Sequence, residues 1–181
     1  MIDESDVSLA QAGDKDAFSR LIYDCQNAMY RVAKSILKQD EDCADAIQEA
    51  ITKSYYSINK LKNQQNFKTW LIRILINQCY DLLKQKKKDI PTEPSDPLFQ
   101  LNAQQETNEY YQLSEAITKL STNNRIIITL FYYEQLTLKE IANILKIKEG
   151  TVKSRLNRAR NKLATYLTKN KFNGRVENGS E

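Results

Sequence analysis

Apolar residues in the first half of the chain recur at the three- and four-residue spacing of amphipathic α-helices. This pattern predicts helices over residues 14–37, 44–58 and 67–88. The polar interval 60–66 has no such periodicity and is predicted as a loop. Three helices of this length can close a bundle with its own core, so we predict a first domain over residues 10–88, built as a three- or four-helix bundle.

The helical pattern stops in residues 89–108. All three prolines of the chain, Pro91, Pro94 and Pro97, fall in this segment, and their fixed φ and missing N–H groups prevent a long helix. From Asp89 to Glu109, both included, there are five acidic residues and no basic residue. We therefore predict an extended acidic linker between two domains.

The second half contains two short amphipathic helices on either side of a short break, the pattern of a helix-turn-helix unit. Apolar stripes define them: Leu138, Ile141, Ala142 and Leu145 in the first helix, and Val152, Leu156, Ala159 and Leu163 in the second. Between them, Ile147 offers an apolar anchor and Gly150 offers a residue suited to a tight turn. We predict an all-α second domain over residues 109–168, followed by a disordered tail over 169–181.

Charge separates along the chain in a way that the net value of +4 conceals. From Thr137 to Lys171 there are ten basic residues and two acidic ones, and none of the acidic ones follows Gly150. A basic face carrying Arg and Asn suits a DNA major groove, where Arg reads guanine and Asn reads adenine. A solvated helix that happens to be basic is the alternative. The candidate DNA-binding residues are Lys153, Ser154, Asn157 and Arg158, with Arg160 and Lys162 expected to contact mainly phosphate.

Composition argues against several other classes of protein. The chain has no histidine, and its three cysteines form no CxxC pair, so no metal, no cofactor and no disulfide framework are expected. No nucleophile–base set or carboxylate cluster suggests an enzyme. No apolar run approaches the ~20 residues that span a bilayer, and the acidic N-terminus is unlike a signal peptide. We expect a cytoplasmic binding protein.

Three motifs in order resemble the extracytoplasmic-function (ECF) group of bacterial RNA polymerase sigma factors. They are residues 13–37 followed by the Asp-x-x-Gln-Glu signature in DCADAIQEA, the helix NFKTWLIRILINQCYDLL, and the helix-turn-helix TLKEIANILKIKEGTVKSRLNRARNKL. The resemblance implies a protein that brings core RNA polymerase to a promoter and stabilises strand opening. It also implies control by an anti-sigma factor in an envelope stress response. A helix-turn-helix regulator that is not a sigma factor is the alternative, but it leaves the first bundle unexplained.

The resemblance assigns roles to further residues. Asp45, Gln48 and Glu49 are implied to bind the coiled coil of the largest polymerase subunit, with an ordinary solvated helix face as the alternative. The loop Lys62, Asn63, Gln64 and Gln65 is implied to receive a base flipped from the downstream promoter element, unless it is a plain turn. Arg73, Asn77, Tyr80 and Lys84 are implied to face the duplex edge and the single strand. The linker is similar to the family's connector toward the RNA path, although a flexible tether fits it nearly as well.

Overall fold

The structure, a computed structural model, describes residues 3–89 and 108–176. Within these ranges the chain is helical, with no β-strand, so the expected all-α class is confirmed. The α-helices are α1 (Glu4–Gln11), α2 (Lys15–Ile36), α3 (Asp40–Ser57), α4 (Phe67–Asp89), α5 (Asn108–Thr118), α6 (Thr122–Ile128), α7 (Leu138–Leu145) and α8 (Glu149–Val176). Short 3₁₀ turns occupy Ile58–Lys60 and Gln64–Asn66, and a π-helical turn occupies Thr129–Tyr133.

Helices α1 to α4 form the N-terminal domain, a bundle of four helices. The predicted start at residue 10 is too late, because α1 begins at Glu4 and buries Val7 and Ala10. A sharp turn at Gly13, with φ of +101°, separates α1 from α2. Asp14 then caps α2 by accepting from two backbone N–H groups of its first turn. The apolar stripe predicted for α2 is buried as expected.

The predicted buried stripe of α3 is displaced in the structure. The helical spacing of the apolar residues predicts a core-facing stripe of Ala44, Ile47, Ile51, Tyr55 and Ile58. Ala44 is exposed, whereas Cys43, Ala46, Ala50 and Ser54 are buried. Helix α3 packs against α4, and the larger side chains Ile47, Ile51 and Tyr55 lie partly buried against the core. The expectation failed because the spacing of the larger apolar residues does not single out the small buried side chains beside them.

Helices α5 to α8 form the C-terminal domain, and α7 with α8 make the predicted helix-turn-helix. Thr137 and Glu140 close a capping box at the start of α7. The turn is made differently from the prediction, because Lys146 takes the left-handed conformation at φ of 54°. Gly150 lies in the first turn of α8 instead.

The structure describes only parts of the predicted tail and of the predicted linker. Helix α8 continues to Val176, so residues 169–176 are helical and the prediction of a disordered tail is wrong for them. Residues 177–181 lie outside the described residues. The predicted linker also lies outside them, except that Asp89 ends α4 and Asn108 begins α5.

The two domains pack against each other. Helix α2 lies against α6 and the π-helical turn, and α4 lies against α7. Buried residues of both domains form one continuous apolar cluster. Arg125 of α6 is buried and donates from Nε to the backbone oxygen of Ser35 in α2 at 2.7 Å. The candidate site residues therefore lie on two domains that are in contact with each other.

Candidate nucleic-acid interface

The second helix of the helix-turn-helix, α8, presents the predicted basic face to solvent. Val152, Leu156 and Ala159 are buried against the rest of the C-terminal domain. The predicted DNA contacts are all exposed on the remaining surface: Lys153, Ser154, Asn157, Arg158, Arg160 and Lys162. The sequence therefore predicted their accessibility correctly, since a buried stripe at helical spacing fixes which residues lie opposite it.

Arg160 is held in place by aromatic residues of the π-helical turn. Its guanidinium carbon lies 5.4 Å from the ring centre of Phe131 and 5.5 Å from that of Tyr132, within cation–π range. Its Nε donates to the Tyr132 hydroxyl oxygen at 2.7 Å. The two terminal nitrogens remain available for a phosphate. Sequence reasoning missed Tyr132, because an aromatic pair in an apolar run indicates only a core.

The surface of α4 predicted to meet opened promoter DNA is mostly accessible. Arg73, Asn77 and Lys84 are exposed, as expected. Tyr80 differs, because it is half-buried and packs against the core. Burial raises the pKa of its phenol, while the Arg155 guanidinium of α8 acts in the opposite direction. Tyr80 is therefore not an open stacking platform.

The loop of residues 62–65, named the base-reading loop after the role that the family resemblance implies for it, is only partly free. Lys62, Asn63 and Gln65 are exposed, whereas Gln64 is half-buried. The Asn63 side-chain oxygen accepts from the Gln65 backbone N–H at 3.1 Å and caps the following 3₁₀ turn. The Gln64 amide nitrogen donates to the Ser8 hydroxyl of α1 at 2.8 Å. Three of the four residues implied to meet a base therefore face solvent.

Trp70 stands at the edge of a cleft between the domains. It packs on Phe67 with ring centres 5.9 Å apart and is partly buried against the core. The cleft, of about 360 Å³, is lined by the base-reading loop, Trp70 and Arg73 on one side. Glu140, Asn143 and Ile144 from α7 line the other side. One end of the candidate downstream-element surface therefore faces the C-terminal domain.

The acidic face predicted on α3 is accessible. Asp45, Gln48 and Glu49 are all exposed and line an open groove between α3 and α4. Lys53 borders the groove, with its Nζ 3.2 Å from a Glu49 oxygen and 2.6 Å from the Gln78 side-chain oxygen. The surface thus offers carboxylates and amides together, a suitable set for a basic, hydrogen-bonding protein partner.

A buried carboxylate joins the domains. The Glu134 side chain is 0% exposed, and it accepts from Arg31 Nε of α2 at 2.9 Å. Its other oxygen lies 2.9 Å from Lys68 Nζ of α4, an ion pair without a well-aligned hydrogen bond. Sequence reasoning missed all three residues, because charge and periodicity do not show which surface of another domain covers a side chain.

The described residues hold no group of three or more His, Cys, Asp or Glu side chains arranged to bind a metal ion. The three cysteines are free thiols and are buried. Burial raises the pKa of Cys25 and Cys43 to about 11 and that of Cys79 to about 12. Among the described helices, none is both long and apolar enough to cross a membrane.

Comparisons with known proteins match both domains. The Sigma-70 region 2 model matches residues 21–89, and the Sigma-70, region 4 model matches residues 110–163. RNA polymerase sigma factor SigV of Bacillus subtilis is 32% identical over 148 residues, covering 82% of this chain and 89% of SigV. ECF RNA polymerase sigma factor SigM of Mycobacterium tuberculosis is 31% identical over 159 residues, covering 86% of this chain and 80% of SigM. The solved structure of the sigma factor RpoE from Bartonella quintana, in complex with the anti-sigma factor NepR, has a TM-score of 0.75 at 25% identity, covering 86% of this chain and 98% of RpoE.

A helical bundle joined to a helix-turn-helix domain, with both regions matched in order, defines the class of bacterial transcription initiation factors. Within that class, the chain belongs to the ECF group of the sigma-70 family of RNA polymerase sigma factors. The resemblance drawn from the three sequence motifs is confirmed. Its function is that of a sigma factor, which directs core RNA polymerase to promoters.

Proposed function

We propose that this sigma factor recognises a two-part promoter with surfaces on different domains. The exposed face of α8 binds the upstream element, with Lys153, Ser154, Asn157 and Arg158 near the bases and Arg160 and Lys162 on phosphates. The base-reading loop and the exposed side chains of α4 bind the opened downstream element. The observation that carries this proposal is the exposure of all six candidate contacts on one uncompensated basic face of α8.

The α3 surface of Asp45, Gln48 and Glu49 is proposed to bind the coiled coil of the largest polymerase subunit. Support comes from the exposure of all three side chains and from their position beside the α3–α4 groove. Because this surface lies on the N-terminal domain and α8 lies on the other, polymerase and the upstream element can be bound at once. We also propose that the protein works in the cytoplasm, where core polymerase meets promoters, and that it acts as a binding protein and not as an enzyme.

An anti-sigma factor is proposed to control the protein, in the envelope stress response that the family resemblance implies. The relative RpoE was solved in complex with an anti-sigma factor, and the chain resembles it over most of its length. A partner wedged between the domains would first have to break the contacts around Glu134, whereas a partner wrapped around the outside would not. Either arrangement should compete with core polymerase, and a stable ternary complex would contradict occlusion.

The proposal is tested by mixing the purified chain with core polymerase and genomic DNA, with no other sigma factor present, and mapping transcript starts. Initiation at a defined set of promoters is expected, with none from core polymerase alone. Asn157→Ala together with Arg158→Ala, on the exposed face of α8, should abolish selection among those promoters. Sequence-specific DNA binding without co-elution with core polymerase, and without initiation, would instead support the helix-turn-helix regulator.

A further inference from the structure

The N-terminal helix α1 is tied to the backbone that enters the base-reading loop. Gln11, the last residue of α1, donates from Nε2 to the carbonyl oxygens of Ile58 at 3.1 Å and Leu61 at 2.8 Å. A side-chain amide nitrogen carries two hydrogens, so both are used by these two bonds. Leu61 directly precedes the loop. The position of the loop's first residue, Lys62, therefore depends on α1.

A second set of contacts reaches into the loop itself. The Gln64 amide nitrogen lies 3.4 Å from the Gln11 side-chain oxygen as well as donating to Ser8. The Ser8 hydroxyl in turn donates to the backbone oxygen of Glu4 at 3.1 Å, which leaves its oxygen free to accept from Gln64. The polar side of α1 is thus engaged with the loop on both sides of Asn63.

Helix α1 is itself firmly held, so it can serve as a support. Val7 is 0% exposed and Ala10 is 5% exposed, and both pack in the core of the N-terminal domain. Asp6 pairs with Arg20 of α2 on the surface. The Arg20 guanidinium lowers the pKa of the Asp6 carboxyl, so the pair is charged at neutral pH. A short helix fixed to α2 in this way gives Gln11 a defined position.

We propose that α1 positions the base-reading loop, with Gln11 as the central positioning residue. On this view Lys62, Asn63 and Gln65 present the groups that meet the flipped base, while Gln64 anchors the loop to α1. The inference rests on the proposed function, since it names the support of the same downstream-element site. Its physical basis is preorganisation, because a loop already held in its binding geometry loses less entropy when a base enters.

The test measures base preference, which a purely structural role of Gln11 would leave unchanged. Holoenzymes containing wild-type chain, Gln11→Ala or Ser8→Ala transcribe promoter libraries in which each downstream-element position is randomised. For Gln11→Ala, the preference at one or two positions should fall about threefold to tenfold, as expected if only part of the free energy of the two lost hydrogen bonds contributes to base preference. Ser8→Ala should lower the preference at the same positions. Upstream-element preference and affinity for core polymerase should not change.

Ile36→Val is the matched control, because it shortens a buried side chain of α2 that makes none of these loop contacts. It should lower the melting temperature without altering base preference. The inference is overturned if Gln11→Ala and Ser8→Ala keep the wild-type base preference and their transcript yield falls only in proportion to the lower stability of the variant chain. If Gln11→Ala does not fold, Ser8→Ala decides. The proposal expects a lower base preference for Ser8→Ala, whereas a Gln64 side chain that reads the base directly, without support from α1, predicts no effect. Failure of the proposed function looks different, since wild-type holoenzyme would then select no promoter.

Discussion

The Arg31 guanidinium donates to the Glu134 carboxylate at 2.9 Å and thereby joins α2 of the N-terminal domain to the segment before α7 of the C-terminal domain. The carboxylate is fully buried, and Lys68 approaches it from α4. Both cationic side chains are 35% exposed. Water therefore screens the ion pairs, and they stabilise the domain contact less than a fully buried pair would. Among the described residues, Glu134 forms its ion pairs with Arg31 and Lys68 alone.

Glu134→Gln should weaken the contact between the domains by about 1–2 kcal/mol, because it removes the charge and keeps the shape. Since α7 faces the Trp70 and Arg73 end of the proposed downstream-element surface, separation of the domains should also raise the apparent affinity for promoter DNA in the holoenzyme. Small-angle scattering should show a larger radius of gyration. Glu115→Gln is the control, since it removes an ion pair that lies within the C-terminal domain. Identical scattering from wild type and Glu134→Gln would contradict the closed arrangement.

Polymerase binding should respond to charge reversal on α3. Glu49→Lys should weaken the complex with core polymerase at least about tenfold. The new lysine would face the basic partner surface that the carboxylate is proposed to bind, and an interface tolerates two like charges in contact poorly. The fold should survive, since the Glu49 side chain is 54% exposed and, within the part of the chain that the structure describes, it forms an ion pair with Lys53 alone. Glu115→Lys supplies a matched reversal, as Glu115 pairs with Lys119 at the same four-residue spacing. Equal losses for the two variants, measured by fluorescence titration with circular dichroism as a folding check, would argue against the α3 surface.

Periodicity and charge predicted those parts of the site that depend on a single helix. The buried Val152, Leu156 and Ala159 fix which face of α8 is exposed, and that face could be read directly from the sequence. The same holds for Glu49 on α3. These residues needed no knowledge of how helices from different domains meet.

The remaining features depend on contacts between elements far apart in sequence. Gln11 lies 50 residues from Leu61, its hydrogen-bond partner, and Arg31 lies 103 residues from Glu134. No local pattern records such pairs. Helix α1 did carry a usable signal, because Asp3 caps it and Val7 and Ala10 share its buried face. Its length of 8 residues made it easy to overlook beside the long stripe of α2.

The turn of the helix-turn-helix should be stabilised by glycine at the residue that adopts positive φ. A non-glycine residue in the left-handed region costs about 1–2 kcal/mol, partly offset by the flexibility of glycine in the unfolded chain. Lys146→Gly should therefore raise the free energy of unfolding by about 0.5–1 kcal/mol in urea titration. Lys146→Ala, which removes the same amine but keeps Cβ, should give no gain. A gain of equal size from both would assign the effect to charge.

Gly150 is expected to show the opposite preference. It lies in α8, and a Cβ added there would meet no atom within 4 Å. Gly150→Ala should raise the free energy of unfolding by about 0.5–1 kcal/mol, since alanine restricts the unfolded chain and favours helix. The measurement is the same urea titration, with exposed Ala164→Gly in the same helix as the reciprocal control. A loss of stability for Gly150→Ala would show that the turn needs glycine at this position.

The buried thiols should react only when the protein opens. Burial holds the pKa of Cys25 at about 11 and that of Cys79 at about 12, so almost no thiolate is present in the folded state at pH 8. Labelling by a disulfide reagent should be at least about a hundredfold slower than in urea. Because the folded pKa values exceed the unfolded one, stability should be complete below the unfolded thiol pKa and fall as pH rises above it. Fast labelling in native buffer would contradict the described burial.

Arg158 and Arg160, two of the arginines of α8, should differ in what they contribute to promoter binding. Arg158→Ala, if it removes a base contact, should cost about 1–3 kcal/mol at one position of the upstream element and relax its preference. Arg160→Ala should weaken all sequences alike and reduce the salt dependence of binding by about one phosphate contact. Tyr132→Phe provides the decisive comparison, since it keeps the ring beside Arg160 and removes only the hydroxyl that accepts from Nε at 2.7 Å. It should resemble a weaker Arg160→Ala, with affinity reduced for every sequence and base preference intact. Binding-site selection at two salt concentrations measures both quantities, and a change of base preference in Tyr132→Phe would show that Arg160 reads a base.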